Sequence, residues 1–246
     1  MSKNVVKVLS AGRISYQTGL HLQTILSNRH RIDKQNPSSN DTNRDSLILL
    51  EHDPVYTIGI RDHTYSDSEI SELKSLGAEF YRTNRGGLIT FHGPGQLTGY
   101  PILNLKNFVK NGSMKWYVGQ LESMIIRVCA ELGLKGQTDS INNGVWVRGK
   151  KICAVGVHGK RYVTSHGFAL NCNTDLRWFD HIVPCGLQGK CVTSLSTELD
   201  INVNVNDVLP LVRTAFQDQF QCELIDFTTE EQYKLWNDCI STRSCQ

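Results

Sequence analysis

Nowhere in the 246 residues is there a run near the ~18 consecutive apolar residues that a membrane-spanning helix requires, so such a helix is excluded. None of the eight cysteines forms a C-x-x-C pair, which removes zinc ribbons and dithiol redox motifs, and no secretory signal precedes them. Scattered free thiols in a reducing compartment are expected. G-x-G-x-x-G and Walker A patterns are both missing, which disfavours Rossmann and P-loop enzymes. Neither sign of charge predominates: 26 Lys and Arg against 24 Asp and Glu leave +2, too little to mark the whole chain as a nucleic-acid or membrane binder. Any electrostatic signal is therefore local.

Acids are locally absent in three places. The first 32 residues contain Lys3, Lys7, Arg13, Arg29 and Arg31 and no Asp or Glu, the bias of a mitochondrial presequence. The same stretch reads as a strand at Val5 to Leu9 and an amphipathic helix at Tyr16 to Leu26, so import is expected without cleavage. Residues 80–121 and 140–174, stretches of 42 and 35 residues, also lack acids, where the chain average would place roughly seven. They hold Arg82, Arg85, Lys106, Lys110, Lys115, Arg148, Lys150, Lys151, Lys160 and Arg161. A positive surface for an anionic partner follows, with nucleic acid, a nucleotide and an acidic protein all open.

Grouped strands with helices before, between and after them, and no repeat or linker, predict one α+β domain over residues 1–246 with a mixed, largely antiparallel sheet flanked by helices. The polar run 34–45 can bury nothing and is expected to be a solvated loop. Ser46 to Glu51 is a buried strand; Ser66 and Glu69 form a capping box opening a helix to about Leu76, followed by a strand from Ala78 to Thr83. Leu88 to His92 and Leu97 to Leu105 are further strands. Apolar spacing predicts a long helix over Met114 to Leu132, with Glu122 and Arg127 on the wet side. A meander over Gly144 to Asn173 precedes helices at Thr193 to Leu199 and Val205 to Phe220, a strand at Cys222 to Phe227, and a last helix from Thr229.

Several of these segments could carry chemistry. Arg85-Gly86-Gly87, with Thr90, His92, Gly93 and Gly95 beyond, puts small residues where a backbone can approach a ligand, although a Gly-Gly turn between strands is more often a hairpin. Alternation groups Ile152, Ala154 and Gly156 on one strand face and Gly167, Ala169 and Asn171 on another. Such tiny side chains either leave a groove for a slender chain or admit a closely packed helix. Cys185 lies between Pro184 and Gly186 in a tight turn, an unusual place for a buried structural thiol, and Lys151 and His166 are its candidate partners. His181, Cys185 and Cys191 have no standard ligand spacing, so no metal site is expected.

The run Arg85-Gly86-Gly87-Leu88-Ile89-Thr90-Phe91-His92-Gly93-Pro94-Gly95-Gln96, then Tyr100-Pro101-Ile102, closely resembles the signature of lipoyl(octanoyl) transferases. Lys151 to Gly156, His166 to Asn171, Ile182 to Gly186 and Val192 to Leu195 resemble that family's later blocks in order and spacing, over about residues 5–225. The wording is most similar to that of the animal mitochondrial members.

The resemblance implies a fold like the catalytic domain of biotin and lipoate protein ligases, and a location in the mitochondrial matrix. It implies transfer of an octanoyl group from acyl carrier protein, through a thioester on Cys185, to a lysine of lipoyl domains. Those domains belong to 2-oxoacid dehydrogenase E2 subunits and the glycine cleavage H protein. Lys151 would lower the Cys185 pKa and act as general base or acid. Arg85, Gly86, Gly87, Leu88, Ile89, Thr90, Phe91 and His92, with Ala154, Val155, Gly156, His166, Gly167, Phe168 and Ala169, would line the acyl and phosphopantetheine site. No cofactor is implied beyond the phosphopantetheine that the substrate carries, and neither nucleic acid nor membrane as partner. Two rivals stand: an ATP-dependent lipoate or biotin ligase, disfavoured by the missing Gly-Arg-Gly-Arg phosphate loop, and a non-catalytic module binding lipoyl domains or acyl carriers.

Overall fold

The computed structural model describes residues 4–32, 44–61, 65–182 and 192–241. Their elements in order are β1 (Asn4–Ile14), α1 (Tyr16–Ile32), β2 (Ser46–His52), β3 (Val55–Ile58), α2 (Asp67–Ser75), β4 (Glu79–Arg82), β5 (Thr90–His92), β6 (Gln96–Ile102) and α3 (Met114–Glu131). Then come β7 (Gln137–Thr138), β8 (Gly144–Val147), β9 (Lys150–Lys160), β10 (Val163–Asn171), α4 (Leu195–Leu199), α5 (Val205–Phe220), β11 (Cys222–Asp226) and α6 (Thr229–Ser241).

Eight strands form one mixed sheet in the order β11-β1-β2-β6-β10-β9-β8-β7, and β4-β3-β5 form a small second sheet. The β11-β1 and β1-β2 pairs are parallel; from β2 to β7 every pair is antiparallel. This is the mixed, largely antiparallel α+β architecture expected. Six of the seven β2 residues are buried, as a central strand covered on both faces must be. Ser113 caps α3 by accepting from the Trp116 amide, and the Ser66–Glu69 capping box opens α2 as predicted.

Period-two alternation divides the large sheet. Val8, Leu49, Leu97, Leu170 and Cys153 face α3 and α5 in the main core, with Leu121, Ile125, Val208 and Val212 from the helices. Leu9, Ile48, Leu50 and Tyr100 face the other way, with Leu22 and Leu26 of α1 and Leu235 of α6.

Four local expectations are corrected. Gly86-Gly87 is not a hairpin: β4 and β5 both pair with β3, so the segment between them crosses the end of the small sheet. Strand β3 itself, only four residues long, escapes recognition because pairing across the chain, and not local pattern, makes it a strand. Glu122 is not on the wet side; it is buried, and its carboxylate accepts from the Gly144 amide at 2.7 Å. Asp45 is not solvated either: it accepts from the Asn104 amide (2.6 Å) and the Asn107 side chain (2.7 Å), and burial pushes its carboxyl up to about 6. Residues 34–43 of the expected loop lie outside the described residues.

The expected positive surface is also divided. Eight of the ten bases are exposed and two, Arg85 and Lys151, are buried. Arg148 and Lys150 sit at one end of β9, and Lys160 and Arg161 at the other, about 30 Å away at ~3.3 Å per residue. The second group is joined by Lys106, whose ammonium lies 4.3 Å from the Tyr162 ring centroid.

Candidate active site

Strands β6, β10 and β9 form the floor of a cavity that the segment from Arg85 to Thr90, with His92, roofs over. Their register sets Thr98 beside Ala169 and Ala154, and Tyr100 beside Gly167 and Gly156. Gln96 and Asn171 make the next row. The middle of the floor is therefore Gly and Ala, bordered by larger polar side chains on β6.

Not all of this smallness serves a ligand. The roof packs directly on Gly156, with the Gly86 amide donating to the Val157 carbonyl at 2.9 Å, and a Cβ on Gly156 would lie 2.9 Å from the Gly86 carbonyl oxygen. A Cβ on Gly167 would lie 2.2 Å from the Gly99 carbonyl oxygen. Close backbone packing explains these two glycines: the roof loop approaches Gly156 and strand β6 approaches Gly167, and neither is a helix. Ala154 and Ala169 are left to shape the open floor.

Strict alternation would send Lys151 to the face of Cys153 and Val155, inside the main core. A bulge prevents this. Val145 pairs with Cys153 but Trp146 with Lys151, so β9 carries an extra residue at Ile152. Ile152 and Cys153 both enter the core, contrary to the expected grouping of Ile152 with Ala154, and Lys151 turns to the cavity. There its Nζ donates to the Asn143 carbonyl at 3.1 Å and lies 4.8 Å from the Trp146 ring centroid. The Glu122 carboxylate secures the neighbouring Gly144 amide. On the other side the Thr193 amide donates to the Lys151 carbonyl at 2.9 Å.

The Arg85 guanidinium, also buried, is engaged in holding the roof. It donates to the Thr57 carbonyl (2.7 Å) and hydroxyl (2.9 Å) and to the Leu88 (2.9 Å) and Gly86 (3.1 Å) carbonyls. Arg85 shapes the site through backbone it organises.

Three histidines of the region are neutral at physiological pH. Burial lowers His52 to about 4; burial, then the Arg85 charge, lowers His166 to about 3. His92 is held well below the usual range by burial, then by His52, Arg85 and His166. His52 donates through Nδ1 to the Ile14 carbonyl (3.1 Å), so its Nε2 accepts from the Tyr100 hydroxyl at 2.7 Å. Tyr16 stacks on His92, ring centroids 6.1 Å apart. The buried hydroxyls of Tyr16 and Thr98, both at the cavity, have no hydrogen-bond partner among the described residues.

The cavity brings together every residue of the expected site except two. Phe91 points the other way, stacked on Trp178 at 4.9 Å within the small sheet's core, because strand alternation that sends Thr90 and His92 inward sends Phe91 out. Cys185 lies outside the described residues, as does Cys191. The flanks of that segment are described: Phe179 and Val192 line the cavity, and Ile182 and Val192 belong to one apolar cluster. Val155 and Phe168 contribute backbone only, their side chains being in the main core. Burial drives the thiols of Cys129 and Cys172 up to about 12 and that of Cys153 well above its usual value, so these are not nucleophiles. Among the described residues no three His, Cys, Asp or Glu side chains are grouped to hold a metal, and no helix is long and apolar enough to cross a membrane.

Sequence reasoning missed Tyr16, Arg61, Thr98, Asn142, Asn143 and Phe179 as cavity residues, and gave Gln96, Tyr100, Asn171 and Val192 no role in it. Only the last four stood within recognisable blocks. Tyr16 opens an ordinary amphipathic helix and carries no local signal.

The α+β fold thus carries a roofed cavity with an alanine floor, a buried lysine and buried imidazoles. Residues 15–217 match the lipoyl protein ligase A/B catalytic domain family, to which this chain belongs. Among its relatives, a Danio rerio protein named mitochondrial octanoyl-[acyl-carrier-protein]:protein N-octanoyltransferase is 53% identical over 224 residues, 91% of this chain and 96% of its own. The Homo sapiens protein of that name is 42% identical over 92% of this chain and 97% of its own. A crystal structure of lipoate-protein ligase A bound with ATP superposes with a TM-score of 0.73 at 14% identity, covering 97% of this chain and 94% of that one, and so shares the fold.

Proposed function

We propose that the chain is a mitochondrial matrix acyltransferase that moves an octanoyl group from acyl carrier protein to a lysine of lipoyl-domain proteins in lipoate biosynthesis, through a thioester on Cys185. The acceptors would be 2-oxoacid dehydrogenase E2 subunits and the glycine cleavage H protein. The carrying observation is the β9 bulge, which places Lys151 on an Ala-floored cavity beside both flanks of the segment that holds Cys185. Cys185 follows Ile182 by three residues, a reach of at most about 10 Å.

In the first half-reaction Lys151 takes the Cys185 proton, the thiolate attacks the thioester carbonyl, and the C–S bond to the carrier's phosphopantetheine breaks, its sulfur receiving the proton. One thioester replaces another, so the step is nearly isoenergetic and needs no ATP. In the second, the acceptor's neutral amine attacks, the C–N bond forms, the bond to Cys185 sulfur breaks, and the amine's proton returns to the thiolate by way of Lys151. Forming the amide is the downhill step. No resident cofactor enters, and the exposed bases suit an acidic carrier without nucleic acid or membrane as partner.

The test is intact mass spectrometry after mixing the chain with octanoyl-acyl carrier protein without ATP. One octanoyl group on wild type, labile to hydroxylamine and absent from Cys185→Ala, is expected; Lys151→Met should slow its formation while leaving the fold intact. If acylation of the lipoyl domain appears only with ATP, with release of pyrophosphate, the chain is a ligase instead.

A further inference from the structure

His92 is the one ring at the cavity whose protonation is dictated by a chain of hydrogen bonds beginning at backbone carbonyls. The Thr193 carbonyl can only accept, so the Asn171 atom 2.9 Å from it is the amide nitrogen, and the Asn171 oxygen faces the other way. That oxygen accepts from the Gln96 side-chain nitrogen at 2.9 Å, which also donates to the Phe91 carbonyl at 3.1 Å. Gln96 therefore offers its oxygen to His92 Nδ1, 2.8 Å away, and Nδ1 must carry the proton. Nε2 is left as a bare lone pair on a ring that lines the cavity. The relay ends beside Lys151, since Thr193 also donates its amide to the Lys151 carbonyl.

A ring fixed in this way can receive a hydrogen bond and cannot give one from Nε2. The groups around it oppose its protonation: Arg85, His52 and His166 add positive charge or compete for it, and Tyr16 and Tyr100 supply no anion. It is too weak a base to remove the proton itself, a task left to Lys151.

We propose that His92 orients the attacking amine: its Nε2 accepts one N–H of the acceptor lysine and so turns the nitrogen lone pair towards the acyl carbon. The role rests on the reaction proposed above and adds a residue that acts in its second half only. It requires a neutral amine, which Lys151 provides, and a neutral imidazole, which burial and the Arg85, His52 and His166 groups around the ring provide, the amide relay then setting its single proton on Nδ1.

The test has two readings. Long-range proton–nitrogen spectra of the 15N-labelled chain should show His92 Nδ1 protonated and Nε2 unprotonated from pH 6 to 8; a protonated Nε2 overturns the proposal whatever the kinetics. Single-turnover measurements then separate loading of Cys185 from transfer to a lipoyl domain. Gln96→Glu replaces the neutral acceptor by an anion that favours the imidazolium, so transfer should fall about tenfold or more near pH 7 and recover towards higher pH, with loading changed less than about threefold. Because Gln96→Glu also strips two carbonyls of their donor, His92→Phe, which keeps the stacking on Tyr16, is the companion variant. It should slow transfer equally at all pH values. Equal slowing of both halves, or unimpaired transfer, overturns the role; a wild type that neither loads nor transfers removes the reaction, and the role with it.

Discussion

The two faces of the eight-stranded sheet are made by the same strands and do opposite things. Towards α3 and α5, Leu97, Leu170, Cys153 and Val155 interlock with helix side chains in an apolar core. Towards the small sheet, Gln96, Thr98, Tyr100, Ala169, Asn171 and Ala154 surround a cavity, and their polar atoms are largely tied to one another and to backbone. Because side chains alternate with period two, one strand can anchor the molecule and build its site without either task constraining the other. The part of a face left unfilled is the one that carries the candidate site.

The largest effects should come from making each face resemble the other. Ala169→Leu fills the cavity floor; octanoyl transfer should fall by about 100-fold or more while overpacking costs about 1–3 kcal/mol, read by transfer assay and urea unfolding. Retained activity would mean the acyl chain lies elsewhere. On the opposite face Leu121→Ala opens a void in the main core and should cost about 2–5 kcal/mol by urea unfolding, with activity per folded molecule unchanged.

Acid sharpens the contrast further. His52, about 4 when folded against 6.5 when unfolded, makes the unfolded chain bind the proton first as pH falls, so stability present at neutral pH is lost between 6.5 and about 4. At ~1.4 kcal/mol per pH unit the loss approaches about 3 kcal/mol, and His166 acts in the same direction. Asp45, raised from 3.8 to about 6, works oppositely: the folded chain takes its proton first, and stability is gained on acidifying through that window. Urea unfolding from pH 7.5 to 4.5 should therefore show Asp45→Asn losing stability more steeply than wild type; a shallower curve would contradict this. The smallest effect belongs to the exposed Arg127–Asp218 pair between α3 and α5, 3.5 Å apart, where Arg127→Ala should change stability by less than about 0.5 kcal/mol in thermal melts.

What was legible follows from how local each cause is. The helical spacing of α3, the Ser66–Glu69 box and the small-residue strands around Ala154 and Ala169 are written within a few residues of one another. Illegible features depended on distant partners. Strand β3 exists because β4 and β5 close on it, and Glu122 is buried because the Gly144 amide, 22 positions away, needs an acceptor. Tyr16 joins the cavity from α1, His52 of β2 packs behind it against the His92 ring, and the bases at the two ends of β9 lie apart because that strand is long.

The amino-acid sequence by itself determined the class of fold, the alternation that gives the sheet two unlike faces, and the blocks of residues from which the site is assembled. Tertiary structure alone decided which way Lys151 points, that Arg85 braces the roof, and which nitrogen of His92 carries a proton. The reason is physical: alternation and helical period are properties of a short stretch of chain, whereas a bulge, a buried carboxylate and a tautomer are settled by hydrogen bonds between residues that only folding brings together.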